Sequence, residues 1–278
     1  MRVLIRGAGD LASGIALRLH RAGLDVVMTD LEKPTAIRRT VCFSPAITHG
    51  ETVVEGVHAA RAETAEQALA LLAEGIVPVL PDPQLTCLPA LHPDGLVDAI
   101  LAKKNLGTHI TDAPVVVGVG PGFTAGTDCH AVVETMRGHT LGRVIWSGSA
   151  VPNTGVPGNI GGYTIERVMH SPCAGEFHTL RQIGDTVEAG ETVAAVGGEP
   201  LCAKITGTLR GILPEGFYVP RKGFKSADVD PRCRLFHCFT ASDKALAVGG
   251  GVLEAVLMLT SAVGTARKPE KRGEDYGK

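Results

Sequence analysis

The sequence predicts an α/β fold: a mostly parallel sheet covered by helices, followed by a small all-β module and a C-terminal helix. Three observations predict it. The chain opens on an apolar run, a glycine turn and a helical pattern, from Val3 to Gly14. Up to about residue 165, short β-type runs alternate with segments of helical period, which implies crossover connections and a parallel sheet. From Val168 to Asp230 the helical period is lost, and β-type runs alternate with glycine turns.

Val3-Leu4-Ile5-Arg6 reads as the first strand. Gly7, Gly9 and Ala12 follow at the spacing of the G-x-G-x-x-G/A fingerprint of Rossmann-like domains. In it the first glycine makes the turn, the second lets a pyrophosphate approach the backbone, and the third small residue packs helix on strand. Asp10 lies inside this turn. A second apolar run, Val26 to Thr29, ends in Asp30, where the fingerprint places an acid that bonds a ribose hydroxyl and disfavours a 2′-phosphate. The glycine spacing alone also fits any tight strand-helix turn; the strand before it, the helix after it and the distal acid favour a nucleotide cradle.

Leu11 to Arg21 forms an apolar-faced helix closed by Gly23, Pro34 starts a helix through Arg38 and Arg39, and Glu63 to Glu74 forms another. Further strands are expected at Ile76 to Leu80, Leu96 to Leu101, Val115 to Val119 and Arg143 to Trp146. Lys103 and Lys104 follow the end of the Leu96 to Leu101 strand and are placed to meet a second phosphate or a carboxylate, while Arg38 and Arg39 can reach a nucleotide phosphate from the Asp30 side. Each of these basic pairs also fits a solvated turn. A second glycine loop, with Gly120, Gly122 and Gly126, precedes an expected helix from His130 to Met136. A third follows the last strand with Asn153 and Gly155. Together the three loops would ring one crevice at the carboxyl ends of the strands. In the first turn of the expected helix, Cys129 is the most interesting thiol, because a helix dipole lowers a thiol pKa; a buried, inert cysteine is the competing reading.

The β region contains two halves that repeat one pattern, a glycine before a strand and then a hairpin, which resembles the barrel-sandwich fold of lipoyl and biotinyl carrier domains. The turn between the halves, Gly197-Gly198-Glu199-Pro200, has no lysine at its tip, and Lys204 falls in the following strand, so no covalent lipoyl or biotin is expected. The expected division is a Rossmann-like nucleotide-binding domain over 1–165, the β module over 166–232, a helical segment over 233–264 and a disordered tail over 265–278. In the helical segment Ser242 or Asp243 caps, and Gly249 to Gly251 opens the apolar helix through Leu259.

A net charge of −2 and 4% aromatic residues speak against a nucleic-acid surface. The seven cysteines are odd in number, scattered and free of C-x-x-C pairs, so they form no disulfide framework. Without a signal segment at the start, the expectation is a cytoplasmic protein with reduced thiols. Ala245 to Val263 is interrupted by Glu254 and three glycines, which suits a buried helix better than a membrane span. No histidine spacing marks a metal site, and no nucleophile elbow or telling carboxylate pair marks a catalyst.

Several long motifs resemble the YqeB family. They are Gly7-Ala8-Gly9-Asp10-Leu11-Ala12-Ser13-Gly14, Pro34 to Thr40, Asp98 to Asn105, Gly120-Pro121-Gly122-Phe123-Thr124-Ala125-Gly126, Glu134 to His139, Pro152 to Gly158, and Ser242 to Ala245 with Gly249 to Ala255. The resemblance implies an accessory or maturation factor for a selenium-dependent molybdenum hydroxylase, with hydroxylase subunits as partners, and it carries over no catalytic residue. Such hydroxylases use a pterin joined to a nucleotide through a pyrophosphate. The expected ligand is therefore molybdopterin dinucleotide or another nucleotide in the Gly7 to Ala12 cradle, with Cys129 as the candidate for placing sulfur or selenium. The alternatives are an NAD(P)-dependent oxidoreductase and a nucleotide-sensing regulatory module.

Overall fold

The central strand β1 (Arg2–Arg6) is buried on both faces, as a strand inside a parallel sheet must be. It belongs to a computed structural model that describes residues 1–260. After β1 come α1 (Asp10–Arg21), β2 (Asp25–Thr29), α2 (Pro45–His49), β3 (Glu51–Val54) and β4 (Val57–Arg61). Next are α3 (Ala65–Ala73), β5 (Val77–Leu80), α4 (Leu88–Leu91), β6 (Gly95–Asp98) and β7 (Val115–Val119), then the short β8 (Thr124–Ala125), β9 (Ala131–Val133), β10 (Val144–Ile145) and β11 (Gly148–Ser149). The nine-stranded sheet has the order β10-β9-β7-β6-β1-β2-β5-β4-β3. Every pairing from β9 to β4 is parallel, and β10 and β3 add antiparallel edges. The order reverses direction at β1, with β2 on one side and β6 on the other. That is the switch point at which α/β sheets open a ligand crevice.

Alternation along β1 divides the core. Val3 and Ile5 pack with α1, α2 and the C-terminal helix, whereas Leu4 packs with α3 and α4 on the opposite face. The start of α3 shows how local sequence fixes an element: Thr64 Oγ1 accepts from the Gln67 amide at 3.3 Å, and Gln67 Oε1 accepts from the Glu63 amide at 2.7 Å.

The β module follows as β12 (Val168–His170), β13 (Gly175–Thr179), β14 (Thr186–Val187), β15 (Thr192–Val196), β16 (Glu199–Cys202), β17 (Gly207–Ile212), β18 (Tyr218–Val219) and β19 (Lys225–Asp230). It consists of two four-stranded antiparallel sheets, β12-β19-β17-β14 and β16-β15-β13-β18. Phe177, Val187, Val196, Leu209 and Val229 form one core from both. The chain then makes α5 (Phe236–Phe239) and α6 (Asp243–Thr260).

Several expectations are corrected. His130 to Met136 contains the strand β9 and no helix; the β-branched pair Val132-Val133 is buried in the sheet beside β7. The Pro34 segment forms a single 3-10 turn over Arg39–Val41. The strand expected from Leu96 to Leu101 ends at Asp98, leaving 99–101 to wall the crevice. Lys204 stands exposed in the bend between β16 and β17. Gly249, Gly250 and Gly251 lie inside α6, where two of them permit close approach. A Cβ at Gly249 would come within 2.7 Å of Gly14 O on α1, and one at Gly251 within 2.1 Å of Gly142 O. Among the described residues no helix is long and apolar enough to cross a membrane. The expected tail, 265–278, lies outside the described residues.

Gly249→Val is therefore expected to lower stability in chemical denaturation by about 3 kcal/mol through overpacking against α1. Gly250→Ala, whose Cβ meets nothing within 4 Å, is expected to raise it by up to about 1 kcal/mol through helix propensity.

Candidate functional site

The turn between β1 and α1 is built around one backbone requirement. Gly7 has φ +108°, and a Cβ there would sit 3.0 Å from Ala99 O, so glycine is needed on both counts. The Gly7 amide donates to Thr29 O at 2.7 Å and the Ala8 amide donates to Asp30 Oδ2 at 2.8 Å, which ties the turn to the end of β2. Gly9 caps α1, and a Cβ at Gly9 meets nothing within 4 Å. Among the described residues, the Gly9 and Asp10 amides have no acceptor in the protein. Two free donors, the positive end of α1 and open space above them make an anion cradle.

The cradle faces a cavity of about 870 Å³ lined by residues including Gly7, Gly9, Asp10, Ala12, Thr29, Asp30, Arg38, Cys42, Ala99 and Lys225. That is the size of a small-molecule or cofactor pocket. Its floor is held by Arg6, only 6% exposed, which donates to Asp98 Oδ2 at 3.3 Å, to Thr108 Oγ1 at 3.0 Å and to Pro83 O at 3.0 Å. Among the described residues, the buried Thr29 hydroxyl has no hydrogen-bond partner.

Asp30 differs from the sequence expectation in part. Burial raises its pKa, and its bonds from the Leu31 and Ala8 amides oppose the rise. Oδ2 holds the turn, Oδ1 accepts from the Leu31 amide at 2.7 Å, and the residue lines the cavity. Burial also works against an ionised Asp10, but Arg38 and Lys225 outweigh it and hold the pKa below the usual carboxylate range. Arg38 Nη1 lies 3.1 Å from Asp10 Oδ2, and Arg38 Nη2 donates to His237 O at 3.2 Å.

Arg38 belongs to a strap that fastens the β module over the sheet. The Ile212 amide donates to Ile37 O at 2.8 Å, Arg39 Nε donates to Ile212 O at 2.9 Å, and Thr40 Oγ1 donates to Cys238 O at 2.5 Å. Between strap, module and the loop after β11 runs a second cleft of about 680 Å³, which shares Asp10, Leu11, Arg38, Leu101 and Lys225 with the first.

Gly7, Gly9, Asp10, Ala12 and Asp30 thus gather in the first cavity, and Lys103, Asn153 and Gly155 in the second. With its amide oriented for bonding, Asn153 accepts from the Gly155 amide at 3.1 Å and from Lys103 Nζ at 3.2 Å. Gly120, Gly122 and Gly126 line neither cavity. A Cβ at Gly122 would lie 2.6 Å from Lys104 Cα, so this glycine serves chain packing; only Pro121 of that loop reaches the second cleft. Cys129 is also apart. It is 0% exposed, precedes a strand, and burial pushes its thiol up to about 11, the opposite of the expected helix-dipole effect. Sequence reasoning missed Arg6, Thr29, Arg137, Arg167, Arg210, Lys225 and Lys244 as lining residues. Arg137 and Lys244 stood within quoted motifs, but the others gave no local signal.

No family model matches the sequence. The chain is 52% identical over 257 residues, 92% of its length, to the "Uncharacterized protein YqeB" of Escherichia coli (strain K12), and it spans 47% of that relative. Among solved structures, an aspartoacylase family protein from Mesorhizobium loti is 12% identical, with 84% of this chain and 86% of that one covered and a TM-score of 0.27. The ectoine utilization protein EutE (DoeB) from Ruegeria pomeroyi is 11% identical, with 82% and 52% covered and a TM-score of 0.22. At such scores neither structure bears on the fold or the chemistry of this chain.

Iodoacetamide at pH 8 is expected to modify the exposed Cys233 first and to leave Cys129 intact until denaturant is added. A pKa of about 11 leaves roughly one Cys129 thiol in a thousand ionised at that pH. Peptide mapping of the alkylated protein checks this, and early Cys129 labelling would restore it as a reactive thiol.

Proposed function

We propose, from the membership of the YqeB family that this identity supports, that the chain is a cofactor-handling accessory protein. It binds a pyrophosphate-containing nucleotide across the turn between β1 and α1. The observation that carries this reading is the pair of unengaged amides at Gly9 and Asp10, opening onto the cavity of about 870 Å³ at the sheet's switch point. The residues present fit a diphosphate: the space above Gly9 is clear and Gly7 is fixed by contact.

The motif resemblance supplies the finer reading, a maturation factor that prepares molybdopterin dinucleotide for a selenium-dependent molybdenum hydroxylase whose subunits are its partners. Because the chain spans about half of the YqeB relative, activity and partners of the longer protein are part of this proposal. Gly7, Gly9 and Ala12 would hold the diphosphate, and Asp30 would accept from a ribose hydroxyl. The position of Asp30 at the end of β2 equally favours NAD, and with it the oxidoreductase reading. A nucleotide-sensing role uses the same cradle.

Native mass spectrometry of freshly purified protein separates these readings: a pterin dinucleotide mass supports cofactor handling, and an NAD mass supports the oxidoreductase. Gly9→Asp places a carboxylate where the phosphate would lie, and aspartate is itself a good helix cap, so the fold tolerates it. The variant is expected to lose at least about tenfold in nucleotide affinity by calorimetry, with an unchanged melting temperature. Unchanged affinity would overturn the cradle.

A further inference from the structure

The second cleft carries an imbalance of charge that the cradle does not explain. Its lining includes Arg38, Arg137, Arg167 and Arg210, each already engaged in an ion pair. Arg38 pairs with Asp10, and Arg137 makes two bonds to Asp243, at 2.8 and 3.0 Å. Arg167 and Arg210 share the buried Asp228, at 3.4 Å and 2.5 Å. The same cleft is lined by Lys103, Lys225 and Lys244, and among the described residues none of the three has a carboxylate within 4 Å.

These lysines arrive from three separate parts of the chain: the loop after β6, the first residue of β19, and the first turn of α6. Burial lowers the pKa of Lys244; the carboxylates of Asp10 and Glu134 oppose the fall, and the neighbouring cations Arg137 and Lys225 add to it. The loop that presents Lys103 holds two non-glycine residues in the left-handed region, Leu101 at φ +61° and Lys103 at φ +65°. Strain of this kind is kept where surrounding structure imposes it and is concentrated at binding sites. Asp10, which lines the same cleft and draws on both Lys225 and Lys244, is already paired with Arg38, so among the described residues the lysines keep no ion-pair partner of their own, a cost that a bound anion relieves.

We infer that Lys103, Lys225 and Lys244 form a second anion subsite, distinct from the amide cradle, that takes a phosphate group. A doubly charged phosphate balances three lysines better than a single carboxylate does. Since the two cavities share Asp10, Arg38 and Lys225, one ligand can span both, with a diphosphate at the cradle and a further phosphate at the lysines. Only this bridging rests on the proposed function; the subsite stands on its own residues.

Limited acetylation with acetic anhydride, with and without inorganic phosphate at ionic strength held constant with chloride, tests it by peptide mass spectrometry. Phosphate is expected to lower labelling of Lys103, Lys225 and Lys244 at least threefold and to leave Lys104 and Lys222, which lie outside the cleft, unchanged. In a Lys103→Gln, Lys244→Gln double variant, the phosphate concentration that half-protects Lys225 is expected to rise at least about tenfold, while Lys104→Gln leaves it unaltered. Equal protection of all lysines, or none, would overturn the subsite. Protection that persists in Gly9→Asp supports a separate site, and its disappearance there would assign the phosphate to the cradle and overturn the inference. If instead Gly9→Asp keeps wild-type nucleotide affinity, the cradle fails and the lysine result is unaffected.

Discussion

The strap from Ile37 to Thr40 is the constraint on which the rest of the site depends. A sheet switch point is only an open edge until something roofs it, and here the β module is hung over that edge by backbone and side-chain bonds to Ile212, His237 and Cys238. The contact is close enough that a Cβ at Gly211 would meet Ile37 and Arg38 at 3.1 Å. Arg38 links this roof to the start of α1 through Asp10, so one side chain touches the helix that forms the cradle and the segment that covers it. The two cavities are therefore parts of one space whose walls come from both units.

Electrostatics within that space are divided by how each charge is held. Arg6 and Asp98 form a buried pair, and Arg167, Arg210 and Asp228 a buried triad, and both hold loops and strands in place. A buried pair of this kind is weak evidence for stability, because desolvation offsets most of the attraction. Its effect is geometric: it fixes the floor against which less constrained groups act. The lysines of the second cleft are the reverse: among the described residues none has a carboxylate within 4 Å, and they add positive potential to the cleft they line.

Much of the sheet half was legible in the sequence, because β1, its glycine turn, α1 and β2 carry their signals locally and in register. The conformation of Gly7 and the placement of Asp30 follow from the same fingerprint. The region around Cys129 was not legible. A short apolar run fits a buried strand as well as a helix, and only pairing with β7 decides it, which no local pattern encodes. The glycines of α6 misled for a related reason: glycine is a poor helix former, yet contact with α1 at Gly14 overrides propensity when any side chain would collide. Lys225 joins the site because the strap holds the β module at the sheet edge, and Lys244 because α6 packs on α1, so their role is written in tertiary structure alone.

This division of labour bears on how binding energy would be distributed. The cradle is pre-organised: Gly7 is locked by its bond to Thr29 O, Ala8 by Asp30, and the free amides of Gly9 and Asp10 stand at the head of a packed helix. A phosphate bound there would order almost nothing in the protein, so little conformational cost would be set against its affinity. The lysines are different, since long side chains lose rotamer freedom on engagement, and charges at an open cleft are screened by salt. On the proposed reading, amide contacts would set how tightly and in what register a diphosphate sits, while the lysines would set how fast an anionic ligand arrives and how steeply its binding falls with ionic strength. A site assembled this way selects first for charge at its entrance and then for the shape of the group that reaches the backbone.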